Sequence, residues 1–382
     1  MQFTIVSTVP TISALFFPAE FMRDVAIPCM LMRGGTSKGP LFLASDLPSD
    51  VRTRDDLLLS LMGSPDARQI DGIGGGDSLT SQVLIVGPTT REGADVDYLF
   101  AQVAVAHRQV DTSANCGNML AAVACFAIER GLVVPDDRVT RVRLFNLNTH
   151  RLVQAHVPTP NRKLTYEGDT RIYGVPGTGA GIALDFIDPA GSRTGHLLPT
   201  GNAIDFIDGV PVSLVDFAIP VVLIPANALG KTGYETKAQL DADSGLLAMI
   251  ERLRRKAAAI MSLPDPAHSV LPKVALLARP REGGSIASRF YVPWNCHVAH
   301  STTGALCIAA ATRIEGTTAE ELASPGSDEP GDVVIEHPSG RLTVRVEPKR
   351  DARHALHVPH ATVVLTARPL FDGFAFASYH RF

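Results

Sequence analysis

Charge is scarce in this sequence and never concentrated. Charged residues make up 19% of the 382, the formal charge is -4, and no basic run is longer than Arg254-Arg255-Lys256. Without a basic footprint, nucleic acid is not an expected partner. Cysteine is also sparse: five residues, an odd number at irregular spacing, with no Cys-x-x-Cys pair. That excludes a disulfide framework and the common zinc and redox motifs, and it fits a reducing, cytoplasmic setting. Long apolar runs are missing too. Met1 to Glu20 is apolar, but it has no positive n-region, carries Pro10 and Pro18, and does not reach a spanning length, so no membrane partner is expected. It reads as a tail or edge strand, with Met22 as an alternative start. His354, His357 and His360 are spaced by three in a strand-like segment and cannot share a face, so no metal site is expected.

What is present describes a globular protein large enough for two domains. The expected division is a tail over 1–25, a first domain over 26–195 and a second over 196–382, the final strand crossing back to the first. Strand patterns at Ala26–Met32, Leu41–Leu43, Gln82–Val86, Asp95–His107, Val139–Asn146 and Arg151–Val157 surround helical ones at Thr53–Met62 and Met119–Gly131. A second series has Phe206–Leu214, Ile219–Ile224, an amphipathic helix over Leu240–Met261, and strands at Val274–Ala278, Ser288–Val292, Val333–His337, Leu342–Glu347 and Ala361–Ala367. This mixed order, without regular βαβ alternation, predicts an α+β fold.

The sharpest chemical feature is Ser113-Ala114-Asn115-Cys116-Gly117-Asn118, where a thiol precedes a helix that is apolar nearly all round. Exposed amides and the helix dipole at such a mouth favour thiolate, so Cys116 is the expected reactive cysteine. Cys29, Cys125 and Cys307 sit among Ile, Val, Leu and Ala and read as small buried hydrophobes. A second polar mouth, His297-Val298-Ala299-His300-Ser301-Thr302-Thr303-Gly304, opens another alanine-rich helix. The halves therefore form a weak internal repeat. Two such mouths facing each other would bind an anion.

Several segments in this order carry a resemblance: Ile27-Pro28-Cys29-Met30-Leu31-Met32-Arg33-Gly34-Gly35-Thr36-Ser37-Lys38-Gly39, Met62-Gly63-Ser64-Pro65, Asp71-Gly72-Ile73-Gly74-Gly75, Asp97-Tyr98-Leu99-Phe100, Asn115-Cys116-Gly117-Asn118 and Glu336-His337-Pro338-Ser339-Gly340. From residue 26 to about 376 the chain resembles the PrpF-like isomerases, and within them the 4-oxalomesaconate tautomerases. The resemblance implies a diaminopimelate-epimerase-like fold: two similar domains, each a curved mixed sheet around a central apolar helix, with the active site between them. It implies cofactor-free proton transfer on an unsaturated di- or tricarboxylic acid, and it matches the family cysteine to Cys116. It also implies a lysine base in a Thr-Ser-Lys segment, where this chain has Thr80-Ser81-Gln82. Gln82 cannot take up a proton, but it can orient a carboxylate or enolate oxygen.

The candidate bases are then Cys116 first, His300 or His297 next and Lys38 third. Arg33 offers a planar fork for a carboxylate, Lys38 and Lys273 point charges, and Thr36 and Ser37 hydroxyls, while Gly34 and Gly35 let the loop close on a ligand. Ser78 and Asn115 are further expected substrate contacts. Amides of Gly117 and Asn118, and of Thr302, Thr303 and Gly304, would hold a dienolate, with Ser301 at the second mouth. The expected partner is a small polycarboxylate, with a homodimer allowed and no cofactor. Three readings stay open: a tautomerase of a 4-oxalomesaconate-like acid, a cis–trans or allylic isomerase of an aconitate-type acid, and a non-catalytic relative that binds polycarboxylates.

Overall fold

The computed structural model describes residues 24–378, apart from 114–115, 267–268, 293, 327–328 and 351–355. The expected tail therefore lies outside the described residues except at its end, as do Asn115 and His354.

Two copies of one plan follow each other. The first runs Asp24–Gly34, Ser37–Leu43, helix α1 (Val51–Met62), Gln82–Pro88, Val96–Val103, helix α2 (Leu120–Glu129), Arg138–Asn146 and Arg151–Thr159. The second begins at Val210–Phe217 and Ile219–Pro225, then passes through helices α3 (Lys237–Ala242) and α4 (Ser244–Ile260). It continues with Lys273–Ala278, Ile286–Tyr291, helix α5 (Thr302–Ala311), Asp332–His337 and Gly340–Val346. The pairings repeat as well. Second and third strands are parallel in both copies, Leu41 against Leu84 and Val221 against Lys273. Third and fourth are antiparallel, and the fourth is parallel to the fifth. The weak repeat expected from two helix mouths is thus a repeat of the whole architecture.

The layers follow from strand alternation. Leu84 and Val86 face inward with α2, whereas Val83 and Ile85 face outward against α1. In the second copy Ala275 and Leu277 face inward with α5, and Val274 and Leu276 face outward against α4. Both faces of each sheet are covered, which is why these strands read as continuous apolar runs. α2 and α5 share one core and are apolar all round because sheet surrounds them.

Two strands absent from the expected set join the copies. Ile182–Ile187 pairs with Arg151–Thr159 on one side and His360–Leu365 on the other. Ala367–Ser378 runs antiparallel to Asp24–Gly34. The expected strand Ala361–Ala367 breaks at Thr366, whose carbonyl accepts from the Gly35 amide at 3.0 Å and the Arg33 guanidinium at 2.8 Å. The expected helix Leu240–Met261 breaks at Asp243, whose carboxylate caps α4 by accepting from the Leu246 amide at 2.9 Å. Phe206–Leu214 is split by a turn with positive φ at Asp208 and Gly209.

The mouth of α5 depends on Gly304. A Cβ there would stand 2.2 Å from Cε2 of Phe290, which is wholly buried. Gly304→Ala is therefore expected to lower stability by about 1–3 kcal/mol through overpacking, read as a lower denaturant midpoint.

Candidate active site

The N-termini of α2 and α5 abut. Gly117 makes this approach feasible, because a Cβ there would lie 2.8 Å from the Cβ of Thr302. The Thr302 hydroxyl donates to the Asn118 side-chain oxygen, and the Asn118 side-chain nitrogen donates to Thr36 Oγ1 at 3.1 Å. The two mouths differ in capping. Ser301 caps α5 by accepting from the Gly304 amide at 3.3 Å, whereas α2 has no side-chain cap. The uncapped amides of Met119 and Asn118 hydrogen-bond the Cys116 sulfur instead.

Cys116 opens into a cavity of about 310 Å³ between the two copies, with Ser37 Oγ 3.9 Å from its sulfur. Ser37, Ser78, Gln82 and Asn118 line the cavity from the first copy, and Lys273, His297 and Ser301 from the second. Gln82 and Lys273 are the first residues of equivalent strands, each on the inward face set by the alternation above. Two buried polar atoms of the lining have no hydrogen-bond partner, Gln82 Oε1 and His297 Nε2. The Ala299 amide donates to His297 Nδ1 at 2.9 Å, so the neutral ring carries its proton on Nε2, as an unused donor in the cavity wall. Gln82 is held at its other end, where Nε2 donates to the Ser78 carbonyl at 3.2 Å.

Residues 24–378 match the family described as PrpF protein. The chain belongs to the PrpF family. The 4-oxalomesaconate tautomerase of Pseudomonas putida is 48% identical to it over 352 residues, 92% of this chain and 96% of that protein. A solved methylitaconate-delta-isomerase structure, 34% identical, superposes with a TM-score of 0.75 over 93% of this chain and 96% of its own. A hydroxyproline epimerase structure from Agrobacterium vitis shares the fold, with 13% identity, a TM-score of 0.55 and 94% of each chain covered. The PrpF-family chain thus has the α+β, epimerase-like fold its motifs led one to expect.

Electrostatics in the PrpF-family chain correct the expected thiolate. Burial pushes the Cys116 thiol above its ordinary value, although the Met119 and Asn118 amides, the Ser37 hydroxyl and Lys273 pull the other way. The amides expected to ionise the thiol are present, but desolvation of an anion in this enclosed wall outweighs them. Cys116 therefore carries its proton at neutral pH. Lys273 is shifted oppositely. Burial lowers its ammonium to about 8, with Asp111 opposing and Arg254 adding to the shift. His297 is held well below its usual range by burial and by the neighbouring histidines His300 and His337.

Other expected contacts stand elsewhere. His300 lines a separate, larger cavity of about 580 Å³ with Thr36 and Asn118. Its Nδ1 donates to the Ser301 carbonyl at 2.8 Å and its Nε2 accepts from the Ser288 hydroxyl at 3.0 Å, so both nitrogens are occupied. Burial, then the nearby His337, pushes it down to about 3, and it is not a base in the Cys116 cavity. Arg33 lines neither cavity, and its Nη1 donates to the carbonyls of Gly35 and Thr366 and shapes the loop. Lys38 lines neither cavity, and its amide bonds the Leu79 carbonyl. Gly35, at φ +54°, turns the loop against Asn118. Thr302, Thr303 and Gly304 are buried in the joint between the helices rather than in the cavity wall, and the Gly304 amide is used by Ser301.

Asp111 and Ser269 line the cavity and were not anticipated. The Asp111 carboxylate accepts from the amides of Ser113 at 2.6 Å and Val270 at 3.2 Å, bridging the two copies beside Lys273. The available signal was an acid five residues before Cys116, in the short strand Val110–Asp111. Among the described residues, no three His, Cys, Asp or Glu side chains converge as metal ligands, and no helix is long and apolar enough to cross a membrane.

Proposed function

We propose that this protein is a cofactor-independent isomerase that moves a proton between two carbons of a small unsaturated di- or tricarboxylic acid of the 4-oxalomesaconate type. The observation that carries the reading is the cavity at the joined helix mouths. There a protonated thiol, a buried lysine and two unpaired buried polar atoms, Gln82 Oε1 and His297 Nε2, line one cavity.

The chemistry follows from what these groups can do. A carbon-bound proton next to a conjugated carbonyl leaves, and its electron pair spreads into the conjugated system as a dienolate. The His297 Nε2–H donates to the oxygen where charge develops, and a fixed donor in an enclosed site does so without reorganising. The Cys116 thiol delivers a proton to the distal carbon, and the double bond ends one position along. Ser37, Ser78 and Ser301 hydroxyls hold the carboxylates, with Gln82 accepting from a hydroxyl or protonated carboxyl. The substrate's own conjugation is the electron sink, so the reading calls on no cofactor. The relatives' printed activities, on 4-oxalomesaconate and methylitaconate, are of this kind.

The test is to incubate the protein in deuterated water with 4-oxalomesaconate, cis-aconitate, trans-aconitate and 2-methylaconitate, following carbon-bound protons by NMR. Conversion of at least one acid, with deuterium entering the migrating position, supports the reading. Tight binding of these acids with neither conversion nor exchange would show a binding protein and refute it.

A further inference from the structure

We propose that Lys273 is the catalytic base of this site, taking the carbon-bound proton that Cys116 replaces at the other end of the migrating double bond. The inference rests on the proton-transfer reading above and assigns its missing partner.

Three observations on the fold carry it. The internal repeat makes Gln82 and Lys273 equivalents: each opens the third strand of its copy, and each faces inward, as shown by Leu84 and Val86 in one and Ala275 and Leu277 in the other. Both line the same cavity as Cys116. Of this related pair only Lys273 can accept a proton, because a carboxamide has no basic site near neutral pH. The second observation is burial without pairing: Lys273 is 8% exposed, and among the described residues its ammonium is in no salt bridge or hydrogen bond. An ammonium used only for structure is normally paired when buried this deeply. The third is convergence. Lys273 enters from the second copy and Cys116 from the first, and the two line one cavity within electrostatic range of each other, so an acid bound there has both a nitrogen and a thiol within the same site.

The buried titratable lining leaves no better base. His297 Nδ1 is taken by the Ala299 amide, and its Nε2 carries a proton. The Asp111 oxygens accept from Ser113 and Val270, and an Asp77 oxygen accepts from the Leu79 amide. His107 also lines the cavity but is exposed, unlike Lys273, and Arg254 is within electrostatic range of Lys273.

The step balances. The neutral Nζ takes a proton from carbon and becomes ammonium, and the C–H pair enters the dienolate. The Cys116 S–H bond breaks as its proton forms the new C–H bond, leaving thiolate. The ammonium then returns its proton to the thiolate, directly or through water, and both groups regain their starting states. Burial already favours this starting pair, neutral amine and neutral thiol.

The deciding experiment compares Lys273→Arg and Lys273→Met with the parent enzyme in kcat, KM and pH profile. Arginine keeps the positive charge but cannot release its proton. Lys273→Arg should hold KM within about threefold while kcat falls at least about 100-fold. The parent kcat/KM should rise with pH through about 8, as the amine becomes neutral, and this limb should vanish in both variants. Lys273→Met should lose turnover similarly while melting no lower than the parent, since it removes a buried charge. A Lys273→Arg enzyme with near-parent kcat, or one that keeps the rising limb, would make Lys273 a carboxylate anchor and overturn the assignment alone. A parent protein that neither converts nor exchanges any acid overturns it together with the proton-transfer reading.

Discussion

Cys116→Ser is expected to lose at least about 100-fold in kcat, the usual worth of a positioned general acid or base. The thiol sits where the uncapped amides of α2 meet the cavity wall, with Ser37 3.9 Å from its sulfur. Serine preserves size and the capacity to hydrogen-bond, but an alcohol is a far weaker proton donor than a thiol. Reprotonation of the distal carbon should therefore slow while substrate binding stays near normal. KM should change little, because the carboxylates are held by hydroxyls rather than by sulfur. The fold should survive, since Cys116 is only half-buried and packs at the edge of the core. Steady-state kinetics with a thermal melt read both effects. A Cys116→Ser enzyme within about threefold of the parent kcat would falsify the thiol's role.

Arg254→Met should cost about 3 kcal/mol of stability, the lower end for breaking a buried charged network. Arg254 is completely buried in α4. Its Nη1 donates to the carbonyls of Ser269 and Leu271 at 3.1 and 3.0 Å, and its Nη2 to that of Pro266 at 2.9 Å, while Nε reaches Glu251 at 2.7 Å. Methionine fills part of the volume but leaves those carbonyls without donors. Glu251 keeps Arg255 as a partner, so the loss stays near the lower figure. The same carbonyls belong to the segment that leads into Lys273. Removing the guanidinium also removes a positive charge that lowers the lysine, so the rising limb of the pH profile should move to higher pH. Denaturant unfolding gives the first quantity and kcat/KM against pH the second. A stability loss under about 1 kcal/mol would mean that water replaces the guanidinium at this seam.

Much of the architecture was legible because burial leaves periodic traces. The apolar helices around Cys125 and Cys307 marked the two cores, and apolar runs such as Gln82–Pro88 and Lys273–Ala278 marked strands covered on both faces. Ile182–Ile187 and Ala367–Ser378 escaped notice because the first is only six residues long, the second is interrupted by Pro369 and Gly373, and both have partners far away in sequence. Arg254 shows the limit of pattern reading. In a run of three basic residues it looks solvated, yet it shares a helix face with Ile250, Leu253 and Ala257 and lies in the core.

At the site, residue type and neighbourhood in the chain pointed to Cys116, Ser37, Lys273 and His297, and the resemblance pointed to Gln82; the structure lines one cavity with all five. The sequence by itself determined the two-copy plan, the helix mouths and this set of side chains. Tertiary structure alone decided their protonation and company. It turned His300 and Arg33 onto backbone carbonyls, kept the thiol protonated and lowered the lysine. The physical reason is that desolvation and hydrogen-bond geometry depend on every element packed around a group, and those elements come from both halves of the chain.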